Sequence, residues 1–258
     1  MNFYRCGCMA GKALEKLLPG ALDAYFKKTR SHFFGLLSIL FLLLIYEGSS
    51  AKIYADQQVQ IRNSAEVMIE RMLWFMGVRN NLFLWAVYLL ALVWAFWLAK
   101  KQQLLDFKFV YFPYSIFEST LYALLLGMIA GQLTERTNVM MMALQGQGEA
   151  EMGAKLTSAV GAGIYEELLF RFILVSLILL IFEKLAGGKK LVYTVLAVAI
   201  SALFFSGFHY IGWREAFAFD SFVYRFYAGV ILGTLFVVRG IGVASYTHAI
   251  YNLMLLFR

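Results

Sequence analysis

Long apolar stretches alternate with short polar ones along the whole chain. Runs of roughly 20 residues, the length a helix needs to cross a hydrocarbon core of about 30 Å, fall at about 33–51, 80–99, 112–131, 156–182, 191–209, 221–238 and 241–257. The pattern predicts an all-α protein, a polytopic transmembrane helix bundle of about seven spans. The range is roughly six to eight, because the first and the last two runs are short or weakly separated. Residues 52–79 set Ile61, Val67, Met68, Met72 and Phe75 among charges, which suits a helix lying at the interface. The stretch from Asn138 to Lys155, with Gln145-Gly146-Gln147-Gly148, reads as a polar loop that leads into the fourth run.

Composition agrees with the pattern. Of 258 residues, 61% are hydrophobic, 17% aromatic and 15% charged, and the mean hydropathy is +0.69, outside the range of a soluble domain. The net charge of +7 would suggest nucleic acid in a soluble protein. Here the basic residues sit between runs, so no nucleic-acid partner is expected and the charges read as topology signals. Arg5, Lys12, Lys16, Lys27, Lys28 and Arg30 precede the first run, Lys100, Lys101 and Lys108 follow the second, and Lys184, Lys189 and Lys190 follow the fourth. The intervening segments 52–79 and 132–155 mix signs. Alternate connections are therefore basic, which places the N-terminus in the cytoplasm.

The core Phe33–Tyr46 followed by Ser49-Ser50-Ala51 resembles a signal peptide with a small-residue cleavage site, but a basic leader of about 32 residues is too long for a typical one. An uncleaved anchor is the preferred reading, and either choice gives the same topology. Cys6 and Cys8, both in the leader, exclude a disulfide framework. They are reduced thiols or, alternatively, palmitoylation sites. With no internal repeat, and only Pro19 and Pro113 as prolines, one membrane domain follows. Its parts are a basic leader 1–32, N-terminal helices and an interfacial segment 33–155, and a core 156–258.

The fourth run carries the chemistry. Tyr165-Glu166-Glu167-Leu168-Leu169-Phe170-Arg171 places three ionisable groups in an otherwise apolar span, and each costs on the order of 3 kcal/mol at mid-membrane. Glu167 and Arg171 are spaced i, i+4 in the orientation that favours an intrahelical ion pair. Glu166 points about 100° away and has no partner on its own helix, which suits a general base. Gly153, Thr157 and Gly161 recur every four residues, so that another helix can approach closely. The alternative is a purely structural polar network.

Of the three histidines, His32 lies in the leader, His209 ends the fifth run and His248 lies in the last. His248 and Asn252 are i, i+4 and share a helix face. One Glu, two His and an Asn provide a base, a second proton carrier and neutral donors for an oxyanion. Two histidines and a carboxylate could also hold a metal, but there is no HExxH and Asn252 is a poor zinc ligand.

Glu166-Glu167-x-x-x-Arg171, Phe205-x-x-x-His209 and His248-x-x-x-Asn252, in that order on successive runs, resemble the three motifs of the CAAX protease and bacteriocin-processing (CPBP, or ABI) family of glutamic intramembrane proteases. The resemblance covers roughly residues 156–257. It implies an intramembrane endopeptidase acting on a membrane-associated or exported peptide or protein, in a multi-pass protein of a bacterial plasma membrane. It also implies that Glu166 and His209 activate a water, that His248 and Asn252 form the oxyanion hole, that Glu167 and Arg171 support the site, and that no metal or other cofactor is needed. Residues 1–155 carry no such motif, and neither the substrate nor the oligomeric state follows. The rival class is a non-proteolytic scaffold or immunity protein, or a transporter using Glu166 and the histidines as a proton relay.

Overall fold

The computed structural model describes residues 20–57, 62–75, 77, 81–101, 108–133, 152–185, 190–211 and 216–257. The described residues are helical throughout, without a strand among them. In chain order the helices are α1 (Gly20–Thr29), α2 (His32–Gln57), α3 (Ser64–Phe75), α4 (Asn81–Lys101), α5 (Tyr111–Leu133), α6 (Met152–Glu166), a π-helical segment (Glu167–Val175), α7 (Ser176–Leu185), α8 (Lys190–Phe208), α9 (Phe219–Arg239) and α10 (Ile241–Leu256). Cys6, Cys8 and the loop residues 138–151 lie outside the described residues.

Among the described residues, four helices are long and apolar enough to cross a membrane: α2 over His32–Ala55, α5 over Tyr111–Ile129, α8 and α9. The expected count of about seven is not reproduced, for physical reasons. The run at 156–182 is not one apolar helix but α6, the π segment and α7 in succession, interrupted by three charges. The last run is a helix of only 16 residues. Two boundaries also move. Met152 to Lys155, expected in a loop, already belong to α6, and Ser49-Ser50-Ala51 lies inside the unbroken α2.

Large apolar side chains on α4 (Leu89, Leu90, Val93, Trp94, Trp97), α8 (Leu191, Val195, Phe204) and elsewhere are exposed, the outward face expected where lipid replaces water as the solvent. The interior belongs to α6. Helix α2 packs along it through Ile39, Leu43, Tyr46, Val160 and Ile164, and small residues set the distance. A Cβ on Gly161 would stand 2.5 Å from the Tyr46 ring, so the expected small-residue face of Gly153, Thr157 and Gly161 receives α2. A second close approach, against backbone, lies off that stripe. At Gly163 a Cβ would stand 2.6 Å from Ala249 Cβ and 2.8 Å from its backbone nitrogen, which seats α10 against the helix that carries Glu166.

Helix α1 closes the opposite end. Arg239, at the end of α9, donates from Nε to Glu118 Oε1 at 2.6 Å and from Nη2 to Glu118 Oε2 at 2.8 Å. It also donates to the Phe26 carbonyl at 3.2 Å and Thr29 Oγ1 at 3.0 Å. Tyr25 donates its hydroxyl to the same carboxylate at 2.6 Å. Gly240 makes the turn into α10 with φ of 86° and no room for a Cβ against the Arg30 carbonyl oxygen at 3.1 Å.

Candidate active site

The site is built where α6 gives way to the π segment. π geometry inserts into a helix mostly at functional positions, because it redirects side chains relative to the regular turn. Glu166 is the last α residue and Glu167 the first π residue. The two carboxylates consequently serve different neighbours.

Glu167 is fully buried and accepts from the His248 Nδ1–H at 2.8 Å. Its Oε1 also faces Arg171 Nη1 at 3.0 Å, the ion pair that the i, i+4 spacing leads one to expect. That approach is a charge contact rather than a hydrogen bond, since Nη1 and Glu167 Oε2 both lack a hydrogen-bond partner. Arg171, 1% exposed, is held by two further contacts. Its Nη2 donates to the Gly229 carbonyl at 3.4 Å, and its guanidinium lies 4.3 Å from the centre of the Phe205 ring, a cation–π contact that strengthens when desolvated.

Glu166 is buried too, and its oxygens point to two other elements. Oε1 accepts from Asn63 Nδ2 at 3.3 Å. Oε2 lies 3.8 Å from His248 Nε2. His248 thus stands between the two carboxylates, with Nδ1 on one and Nε2 toward the other. With Nδ1–H given to Glu167, Nε2 accepts when the ring is neutral and donates when it is an imidazolium.

His209 follows the end of α8 and is partly buried, its Nδ1 against the Phe205 carbonyl at 2.9 Å. The Phe205 ring meets the His209 ring edge-on at 5.0 Å and the His248 ring at 6.0 Å. A single aromatic side chain therefore touches Arg171, His209 and His248. Asn252 lies one turn beyond His248 on α10, half-buried. Among the described residues, no group of three His, Cys, Asp or Glu side chains is arranged to hold a metal ion.

Residues 150–254 match the family profile described as "Type II CAAX prenyl endopeptidase Rce1-like". This region is similar to the CPBP family. It is a protease family, and two of the described helices in this region, α8 and α9, are long and apolar enough to cross a membrane. Comparison with curated proteins and with solved structures gave no match.

Two components of the site were absent from the sequence reading. One is the Phe205 ring, noted only as the first position of its motif. The other is Asn63, which lies outside the CPBP match. Its signal was nonetheless present, since Asn63-Ser64-Ala65-Glu66 has the spacing of a capping box, an N-cap acceptor followed three residues later by a carboxylate. What that box would touch is tertiary and has no trace in local sequence.

Proposed function

We propose that the chain is an intramembrane endopeptidase of the glutamic type, hydrolysing a peptide bond in a membrane-associated or exported substrate. The observation that supports this most directly is the 3.8 Å between Glu166 Oε2 and His248 Nε2, in a desolvated site where Glu167 and Arg171 hold the histidine. A water at ordinary hydrogen-bond distance of about 2.8 Å from both atoms forms a triangle with them.

In this reaction ionised Glu166, assisted by His209, takes a proton from the water as its oxygen attacks the scissile carbonyl. The carbonyl π electrons move to oxygen, and the resulting oxyanion is stabilised by Asn252 Nδ2 and by His248 as an imidazolium. Collapse of the tetrahedral species breaks the C–N bond, and the proton held by Glu166 passes to the departing amine. Donors placed in a water-poor cavity count for more than in water, which favours burial of the whole constellation.

The same proposal carries about seven spans, taking α4, the α6–π–α7 unit and α10 as crossing segments together with the four apolar helices. It places the N-terminus in the cytoplasm of a bacterial plasma membrane. Lys27, Lys28, Arg30, Lys100, Lys101, Lys184 and Lys190 fall at helix ends that alternate with the connections nearest the site, which supports a site in the outer half of the membrane. The leader 1–32, the segment 33–155 and the core 156–258 are its functional parts.

The test is the mass of co-expressed membrane proteins, and turnover of a quenched peptide, with the parent and with Glu166→Gln. A folded Glu166→Gln without cleavage is expected. Cleavage at the parental rate would remove Glu166 as the base.

A further inference from the structure

Asn63 approaches Glu166 from the far side of the sequence, 103 residues away. We propose that Asn63 is a positioning residue for the Glu166 carboxylate, and that α3 is docked on the core so as to hold it there. This rests on the reading of Glu166 as the base.

Both ends of the Asn63 amide are engaged. Its Oδ1 accepts from the Ala65 N–H at 2.8 Å, capping α3, while Nδ2 donates to Glu166 Oε1 at 3.3 Å. The cap decides the orientation of the amide. With Oδ1 committed to a backbone donor, only the NH2 group can face the carboxylate. Glu66 completes the capping box by accepting from the Asn63 N–H at 3.2 Å.

Glu66 is itself buried and braced from three sides. Tyr46 on α2 donates its hydroxyl at 2.5 Å, and Arg62 donates from Nε and Nη2 at 3.3 Å. Ala65 beside it is fully buried against Leu169, Phe170 and Phe205. The start of α3 is thereby clamped onto the π segment and α8, while Met68, Met72, Trp74 and Phe75 face outward.

The groups facing Glu166 are therefore Asn63 from α3, His248 from α10, and Glu167 with Arg171 from its own helix, with Glu66 and Arg62 behind Asn63. Tying Oε1 leaves Oε2 directed at His248. A carboxylate fixed in this way does not have to find its orientation in each turnover, which is the use of a rigid supporting shell around a reacting group.

The experiment compares Asn63→Asp, Asn63→Ser and Asn63→Ala with the parent and with Glu166→Gln, as purified full chains in nanodiscs. Asp and Ser keep an N-cap acceptor for α3, but neither offers the amide donor to Glu166. Both variants should melt near the parent with KM unchanged, while kcat falls roughly tenfold to a hundredfold, the scale of a lost hydrogen bond to a charged group. Asn63→Ala should lose kcat and also melt lower. Parental kcat in both Asp and Ser variants, with loss only in Ala, would reduce Asn63 to a helix cap and overturn the inference. Turnover retained by Glu166→Gln would instead overturn the reading beneath it.

Discussion

The backbone of Ala249 lies directly on Gly163, so that a Cβ at 163 would stand 2.8 Å from the Ala249 nitrogen and 2.9 Å from its Cα. His248 is the neighbour of the first and Glu166 follows the second by three residues. This backbone-to-backbone contact thus sets the spacing between the two groups proposed to flank the water.

Gly163→Ala should therefore act on the site as well as on the fold. Because the obstructing atoms are backbone, α10 must shift rather than a side chain swing away. Overpacking of this kind costs about 1–3 kcal/mol, and turnover should fall by more than the lost folded fraction explains. Thermal melting and peptide turnover of the purified variant check this. Melting and kcat both equal to the parent's would mean that this contact does not govern the Glu166–His248 spacing.

Arg171→Ala leaves Glu167 buried with His248 alone. Breaking one partner of a buried pair costs about 3–5 kcal/mol, so folded yield and melting temperature should both drop. Arg171→Lys should recover little. An ammonium cannot lie flat on Phe205, 4.3 Å away in the parent, while also reaching Gly229 and Glu167. Size-exclusion profiles and melting curves of the two variants are the measurement, and parental behaviour in Arg171→Ala would show that the pair contributes nothing.

Asn252 and His248 should separate in stability while agreeing in catalysis. Asn252 is only half-buried, so Asn252→Ala should melt near the parent yet lose roughly a hundredfold to a thousandfold in kcat, with little change in KM. His248→Ala should show a similar loss of kcat and a lower melting temperature, because Glu167 forfeits the 2.8 Å partner. A raised KM with parental kcat in Asn252→Ala would make that residue a substrate contact, not an oxyanion donor.

Chelation should leave activity intact. The site offers two histidines and a carboxylate, but no described trio is arranged to hold a metal ion, and the remaining motif residue is an amide. Turnover after exhaustive EDTA or phenanthroline treatment, with elemental analysis of the purified chain, decides this. One zinc per chain, with activity lost on chelation and restored by zinc, would reassign Glu166, His209 and His248 as ligands.

Much of this was legible in residue order. The apolar runs became helices, the Glu167–Arg171 pair followed from spacing, and Gly153, Thr157 and Gly161 marked the face that meets α2, since all three depend only on helical periodicity. The same assumption of one uninterrupted period hid the π segment at Glu167, and with it the break in the fourth run. Gly163 falls outside the four-residue stripe, so its partner could not be read. The contacts of the Glu166 oxygens come from Asn63, at the start of α3, and from His248 on α10, and such long-range contacts leave no local pattern.

The clasp at Arg239 bears on how the chain is made. Arg239 meets Phe26 and Thr29 across 213 and 210 residues, and Arg30 meets Val237 across 207. A ribosome delivers α1 and α2 well before the end of α9. Until then Glu118 lacks its guanidinium, and α1 can pack only on α2 and α5, through Tyr25 with Phe34, Tyr111 and Phe112. Insertion can proceed helix by helix, but the Arg239 contacts to α1 cannot form until the end of α9 has emerged. The clasp is therefore closed only after these spans have been threaded, and a nascent chain arrested before Arg239 should lack its contacts to Glu118, Phe26 and Thr29.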